Sequence, residues 1–302
     1  MFAVFPWIDP RLAGGDLMML AILMIVPVAV AIRTGPRQHR AALARLADRP
    51  DRVVVIMRNG TRNSWLMTLA ALSIVLGAPG LTLAHLGLTV PDAAGWAATA
   101  VAALGSAGVQ WLGAHQAARR RAAGGRLRGE AAYRQVRPMH PDTPRERAWA
   151  AVFSVSVGFG EEVFYRGLLI AVAIGLGLPT WAAIVLPALL FGLQHRYQTW
   201  RGVLFATLFG LVMTVLYATT ESLWTPIAVH AAWDLMALLV APRILAPALD
   251  ASPPTADPGA PAPTGGVLDP TAPPAAATTA PITAEHPAPP AVLPRLRSAA
   301  PE

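Results

Sequence analysis

The chain has 302 residues, of which 54% are hydrophobic and only 14% charged, with a mean hydropathy of +0.47; soluble domains carry about one quarter charged residues. That deficit argues against a soluble globular enzyme. Cysteine is absent, which excludes a disulfide framework, a thiolate metal site, a cysteine nucleophile and a lipidated cysteine, and the net charge of +7 rests on arginine alone.

A bilayer core needs about 20 apolar residues of helix. Taken in chain order, seven segments are predicted to span it: Leu17 to Ile32, Trp65 to Leu88, Ala93 to Ala114, Trp149 to Leu178, Trp181 to His195, Val203 to Thr219 and Leu223 to Ala241. The first is read as a retained helix, because Asp9, Arg11 and Asp16 precede it and no A-x-A cleavage site follows. Before the fourth span, Thr143, Pro144 and Glu146 predict an N-cap, a first-turn proline and a capping-box carboxylate.

Eight arginines lie between Arg33 and Arg62 and nine between Arg119 and Arg147. Both linkers are expected on the cytosolic side, and counting spans puts Arg196 and Arg201 there too. The N-terminus is then outside and the C-terminal tail cytosolic. The basic charge therefore reads as a topology signal with attraction to anionic lipid, and no nucleic-acid partner is expected. The tail is dominated by Ala, Pro and Thr (APPAAATTAP) and is predicted to be disordered. The expected fold is an all-α polytopic transmembrane helical bundle of about seven spans with a disordered C-terminal tail. Residues 1–147 are assigned to N-terminal helices with Arg-rich loops, 148–241 to a catalytic helical core and 242–302 to the tail.

Ionisable side chains inside a spanning helix cost at least about 2.5–3.5 kcal/mol each, so each invites an explanation. They are concentrated in the last four spans: Glu161, Glu162 and Arg166 in the fourth, His195 at the end of the fifth, and His230 and Asp234 in the seventh. Residues four apart share a helix face, so Glu162 can pair with Arg166, and His230 and Asp234 can point into the bundle together. Glu161, rotated about 100° from Glu162, is left to face a second partner.

A carboxylate beside a histidine can deprotonate water and later protonate a leaving amine. The same residue types can hold a divalent metal such as zinc, with Glu161, His195, His230 and Asp234 as candidate ligands and one position open to water. Other intramembrane protease signatures are missing: there is no H-E-x-x-H, no G-x-S-G and no G-x-G-D.

Glu161-Glu162-x-x-x-Arg166, Phe191-x-x-x-His195 and His230-x-x-x-Asp234 together resemble the signature of the CPBP family, the CAAX proteases and bacteriocin-processing enzymes also called Abi or type II CAAX prenyl endopeptidases. The resemblance covers about Trp149 to Ala241. It implies an intramembrane endopeptidase acting on a peptide or membrane-protein substrate. By that resemblance Glu161 is the general base that activates water, His195 assists it, Glu162 and Arg166 brace the site, and His230 with Asp234 stabilises the oxyanion or completes a metal site. The family often has Asn where this chain has Asp234. An ionised aspartate cannot donate to an oxyanion, so here it is expected to orient His230 or to bind a metal. Two readings from other classes stay open at this point: a proton-coupled transporter using the same residues as titrating groups, and a non-catalytic immunity or binding protein.

Overall fold

The computed structural model describes Phe5, Pro6, Ile8 and residues 35–78, 80–125 and 137–250. The first predicted span, Leu17 to Ile32, and residues 251–302 of the predicted tail lie outside these residues, whereas 242–250, assigned to the disordered tail, are helical. The chain divides into Met1–Pro254 and Thr255–Glu302, the second of which lies wholly outside the described residues.

The regular secondary structure of the described residues is all helical, with no strand among them. In chain order the helices are α1 (Pro36–Ala44), α2 (Arg52–Gly77), α3 (Ala93–Ala122), α4 (Pro144–Glu162), α5 (Leu169–Gly175), α6 (Thr180–Gln194), α7 (Trp200–Thr220), α8 (Trp224–Leu235) and α9 (Ala241–Asp250). A π-helical stretch, Val163–Leu168, joins α4 to α5, and a second, Met236–Val240, joins α8 to α9. By length and composition, Trp200–Thr220 and Trp224–Leu249 are long and apolar enough to cross a membrane. At 15 residues, α6 is shorter than the roughly 20 a bilayer core requires.

Helix α4 begins as its sequence dictates. The Thr143 hydroxyl accepts from the Glu146 amide at 3.2 Å, and Glu146 accepts in return from the amides of Thr143 at 2.8 Å and Asp142 at 2.9 Å. Helix α2 departs from expectation. It starts thirteen residues before Trp65, running through the polar stretch Arg58 to Asn63, and ends at Gly77 instead of Leu88. Hydropathy alone locates the apolar part of a helix, whereas α2 is extended by packing against α4, with Val53 and Met57 on Ala150. It stops because Pro79 disfavours a helical conformation at Ala78, which is extended at φ −96°, ψ 109°.

Contacts along this seam run in the same order on both helices, so α2 and α4 are parallel. The Ser64 hydroxyl donates to the Ser156 carbonyl at 2.7 Å, and the Trp65 indole N–H donates to the Ser156 hydroxyl at 3.1 Å. Small hydroxyl residues allow this close approach, and interhelical hydrogen bonds hold it where no water competes. Helix α3 is bound to α8 by the buried Thr99–Thr225 hydroxyl pair at 2.8 Å and by the Gln110 amide donating to the Trp233 carbonyl at 3.1 Å. Helices α6 and α7 form an antiparallel pair, and α1 rests on the turn His195–Gln198, with the His39 and Tyr197 rings 4.7 Å apart. The buried core runs through Leu86, Leu168, Ile170, Phe191, Tyr217 and Leu223. The outer surface carries Leu76, Leu104, Trp181, Trp200 and Val212 well exposed, an arrangement suited to lipid.

Candidate active site

The site forms where α4, its π-helical extension, α6 and α8 meet. The backbones of α4 and α8 approach closely at Gly158, where a Cβ would lie 2.8 Å from the Ala231 amide nitrogen and 3.0 Å from its Cα. This contact sets Glu161 and Glu162, one turn on, against His230. Glu162 and Arg166 are fully buried and paired, with Arg166 Nη1 donating to Glu162 Oε1 at 2.9 Å. The same Oε1 lies 2.7 Å from His230 Nδ1. Glu162 thus receives a guanidinium and an imidazole on one oxygen, and the ring of His230 is fixed with Nε2 turned towards two further carboxylates. Glu161 Oε2 is 3.7 Å and Asp234 Oδ2 3.9 Å from that nitrogen.

The hydrogen bond that orients His230 is made to Glu162, while Asp234, expected to orient His230 or to bind a metal, stands 3.9 Å from Nε2. The physical reason is non-local: an i, i+4 neighbour reaches only the outer edge of the ring, whereas the close crossing at Gly158 brings Glu162 against Nδ1.

Arg166 also lies over the Phe191 ring, with Cζ 4.6 Å from its centroid. Gly210 on α7 makes room for it, since a Cβ there would sit 2.8 Å from Arg166 Nη2. Phe191 is 2% exposed and also contacts the Tyr165 ring at 5.2 Å, edge-on, and those of His195 at 4.7 Å and His230 at 6.0 Å. The motif phenylalanine is thus the wall shared by both histidines. His195, at the end of α6, donates from Nδ1 to the Phe191 carbonyl at 2.9 Å, which fixes the tautomer and leaves the Nε2 lone pair as its basic position. Among the described residues no ion pair joins His195 to a carboxylate.

Glu161, Glu162, Arg166, His230 and Asp234 form one contiguous cluster, with His195 adjoining it across Phe191. The four expected metal ligands do not converge: no group of three or more His, Asp or Glu side chains among the described residues has metal-holding geometry. Both histidines are bonded through Nδ1, His230 to Glu162 and His195 to the Phe191 carbonyl, so only their Nε2 atoms remain to take a further partner. Three buried atoms of the cluster, Glu161 Oε2, Glu162 Oε2 and Arg166 Nη2, have no hydrogen-bond partner among the described residues. Orphaned polar atoms of this kind gather where a substrate or solvent molecule completes the hydrogen bonding.

Residues 143–236 match the family model described as Type II CAAX prenyl endopeptidase Rce1-like. These residues are an Rce1-like domain. No curated protein and no solved structure matches the chain. The family is one of membrane-embedded peptidases that act on peptide or protein substrates. The Rce1-like domain begins at the N-cap of α4 and ends two residues beyond Asp234, so it contains all six of the candidate site residues.

Sequence reading did not single out three contributors to this site. Gly158 and Gly210 matter through interhelical distance, and their only signal is glycine inside an apolar helix. Tyr197 stacks beside His195 at 5.9 Å and accepts a hydrogen bond from the Gln198 amide at 2.9 Å. Burial pushes its phenol up to about 12, so it stays protonated across the working pH range.

Proposed function

We propose that the protein is an intramembrane endopeptidase in which Glu161 activates water, assisted by His195. Glu161 takes a proton from water, and the hydroxide oxygen attacks the scissile carbonyl carbon. The resulting tetrahedral oxyanion accepts from His230 Nε2–H, whose Nδ1–H donates to Glu162. Collapse breaks the C–N bond as Glu161 returns its proton to the leaving amine. The observation that carries this reading is the approach of Glu161 Oε2 to His230 Nε2, 3.7 Å apart, with His230 locked by Glu162. Arg166 holds Glu162 in place. Asp234, on the other side of Nε2, supports a protonated His230 by charge. No step is routed through a metal, since the donor set lacks the convergence a metal requires.

The substrate is a peptide or membrane-protein segment reaching the site from the side that bears the Arg-rich linkers, which we assign to the cytosol. Parallel α2 and α4 start on one side, and α1 and Arg196 stand there beside His195. The seven-span topology and the three-region division of the chain belong to this proposal.

The test is cleavage of a library of membrane-tethered peptides, prenylated and unprenylated, by protein purified in detergent. Glu161→Ala and His195→Ala should abolish cleavage while the protein still inserts into membranes. Full activity in either variant rules out the assignment. A pH-gradient-driven solute flux without cleavage would favour a transporter instead.

A further inference from the structure

A second polar site lies away from the catalytic cluster, at the end of the bundle where α4 starts and α9 passes. Here Arg137, His140, Arg147 and Arg243 surround a cleft of about 100 Å³ whose floor is Leu238 and Leu239. Arg137 and Arg243 lie outside the Rce1-like domain, one on each side of it in sequence. The proposed reaction uses none of these residues.

The charge in the cleft is incompletely balanced. Arg137 pairs with the Asp142 carboxylate at 3.3 Å. Arg147 donates only to the Asp142 backbone carbonyl, at 2.7 Å. Among the described residues Arg147 has no carboxylate partner, and Arg243 has neither a hydrogen bond nor an ion pair. Asp142 is the one carboxylate among the described residues lining the cleft, and Glu146, close by in sequence, is buried and committed to capping α4. Burial first, and then the Arg137 charge, push His140 down to about 4, so its ring is neutral and leaves the arginines to set the potential. Leu238 and Leu239 continue into an apolar cluster with Trp149, Phe153 and Met57. Guanidinium groups above an aliphatic floor match an anion carrying an alkyl chain, and planar arginine forks suit phosphate oxygens.

We propose that this cleft binds the phosphate of an anionic phospholipid headgroup, fixing the start of the Glu161 helix at the membrane surface. Basic pockets between membrane helices recognise lipid headgroups in this way. The inference rests on the proposed function only through the membrane setting, and its test needs no cleavage.

The test is native mass spectrometry of the full chain in detergent supplied with equimolar phosphatidylglycerol and phosphatidylcholine, with inorganic phosphate titrated to millimolar concentration in a second arm. Wild type should retain phosphatidylglycerol preferentially. Each arginine removed should weaken retention about fivefold, and Arg147→Gln with Arg243→Gln together about 25-fold. Arg119→Gln with Arg120→Gln, which removes two exposed charges from the end of α3, should leave retention unchanged. Arg243→Gln alone, on the exposed side of α9, gives the single-site effect independently of the Arg147 bond to Asp142. Equal retention of the two lipids, or the same loss in the α3 control, overturns the proposal. Displacement of the lipid by inorganic phosphate at comparable concentration overturns the headgroup assignment in favour of a soluble anion.

Discussion

Replacing Gly158 by alanine tests whether catalysis depends on the closeness of α4 and α8. The added methyl would lie 2.8 Å from the Ala231 amide nitrogen, 3.0 Å from its Cα and 3.1 Å from its Cβ, so two of the three clashes are with backbone. Neither helix can relieve them by turning a side chain. Reaching ordinary contact at 3.4 Å requires the helices to part by at least about 0.6 Å. His230 follows the same displacement, and its 2.7 Å bond to Glu162 stretches towards the limit of hydrogen bonding. Overpacking of this size costs about 1–3 kcal/mol of stability. A misplacement approaching 1 Å at reacting groups lowers turnover by about 100-fold, so roughly tenfold or more is expected here. The assay is cleavage of the best library peptide, with thermal melting in detergent run in parallel. Gly105→Ala and Gly108→Ala on α3, where an added Cβ meets nothing within 4 Å, serve as controls and should cleave normally. Wild-type turnover in Gly158→Ala would refute the view that this crossing sets the active geometry.

Other predictions separate bracing from chemistry. Arg166→Met removes the guanidinium from the wholly buried Glu162, leaving only His230 on that oxygen, and should destabilise the protein by up to about 3–5 kcal/mol, seen as a fall in melting temperature. Gly210→Ala should act in the same direction but less, by pushing a methyl to 2.8 Å from Arg166 Nη2. His140 gives a pH signature. Its folded value, about 4, lies below the ordinary histidine value of 6.5, so the folded state binds fewer protons. The associated stability is present above about pH 6.5 and is lost as pH falls towards 4, with an upper limit on the order of 3 kcal/mol. Melting curves of wild type should therefore fall more steeply with acid than those of His140→Gln; parallel curves would contradict this.

Much of the site was legible in the sequence because its spacing is local. Glu162 with Arg166 and His230 with Asp234 are i, i+4 pairs, and the Thr143-Pro144-x-Glu146 cap marks where the Glu161 helix starts. What the sequence could not reveal depends on how helices cross. The Glu162–His230 bond joins residues 68 positions apart and exists because two small residues, Gly158 and Ala231, let α4 and α8 touch. Phe191 was visible as a motif residue, but its place between Arg166 and the two histidines follows from the packing of α6 against α4 and α8. That Glu161, His195, His230 and Asp234 form no metal-holding group is likewise set by packing and not by residue type. The extent of α2 escapes hydropathy for a related reason, since the polar stretch Arg58 to Asn63 is carried in a helix that packs against α4 on both sides of it.

The most direct test of the central claim compares wild type with Glu161→Gln on one cleavable membrane-tethered peptide, each before and after chelation and after return of zinc. Water activation by Glu161 predicts cleavage by wild type that survives chelation, and loss of cleavage by at least about a thousandfold in Glu161→Gln with unchanged melting. Cleavage at the wild-type rate by Glu161→Gln would contradict the account. Loss on chelation with recovery in zinc would show that the reaction runs through a metal the proposed steps do not use.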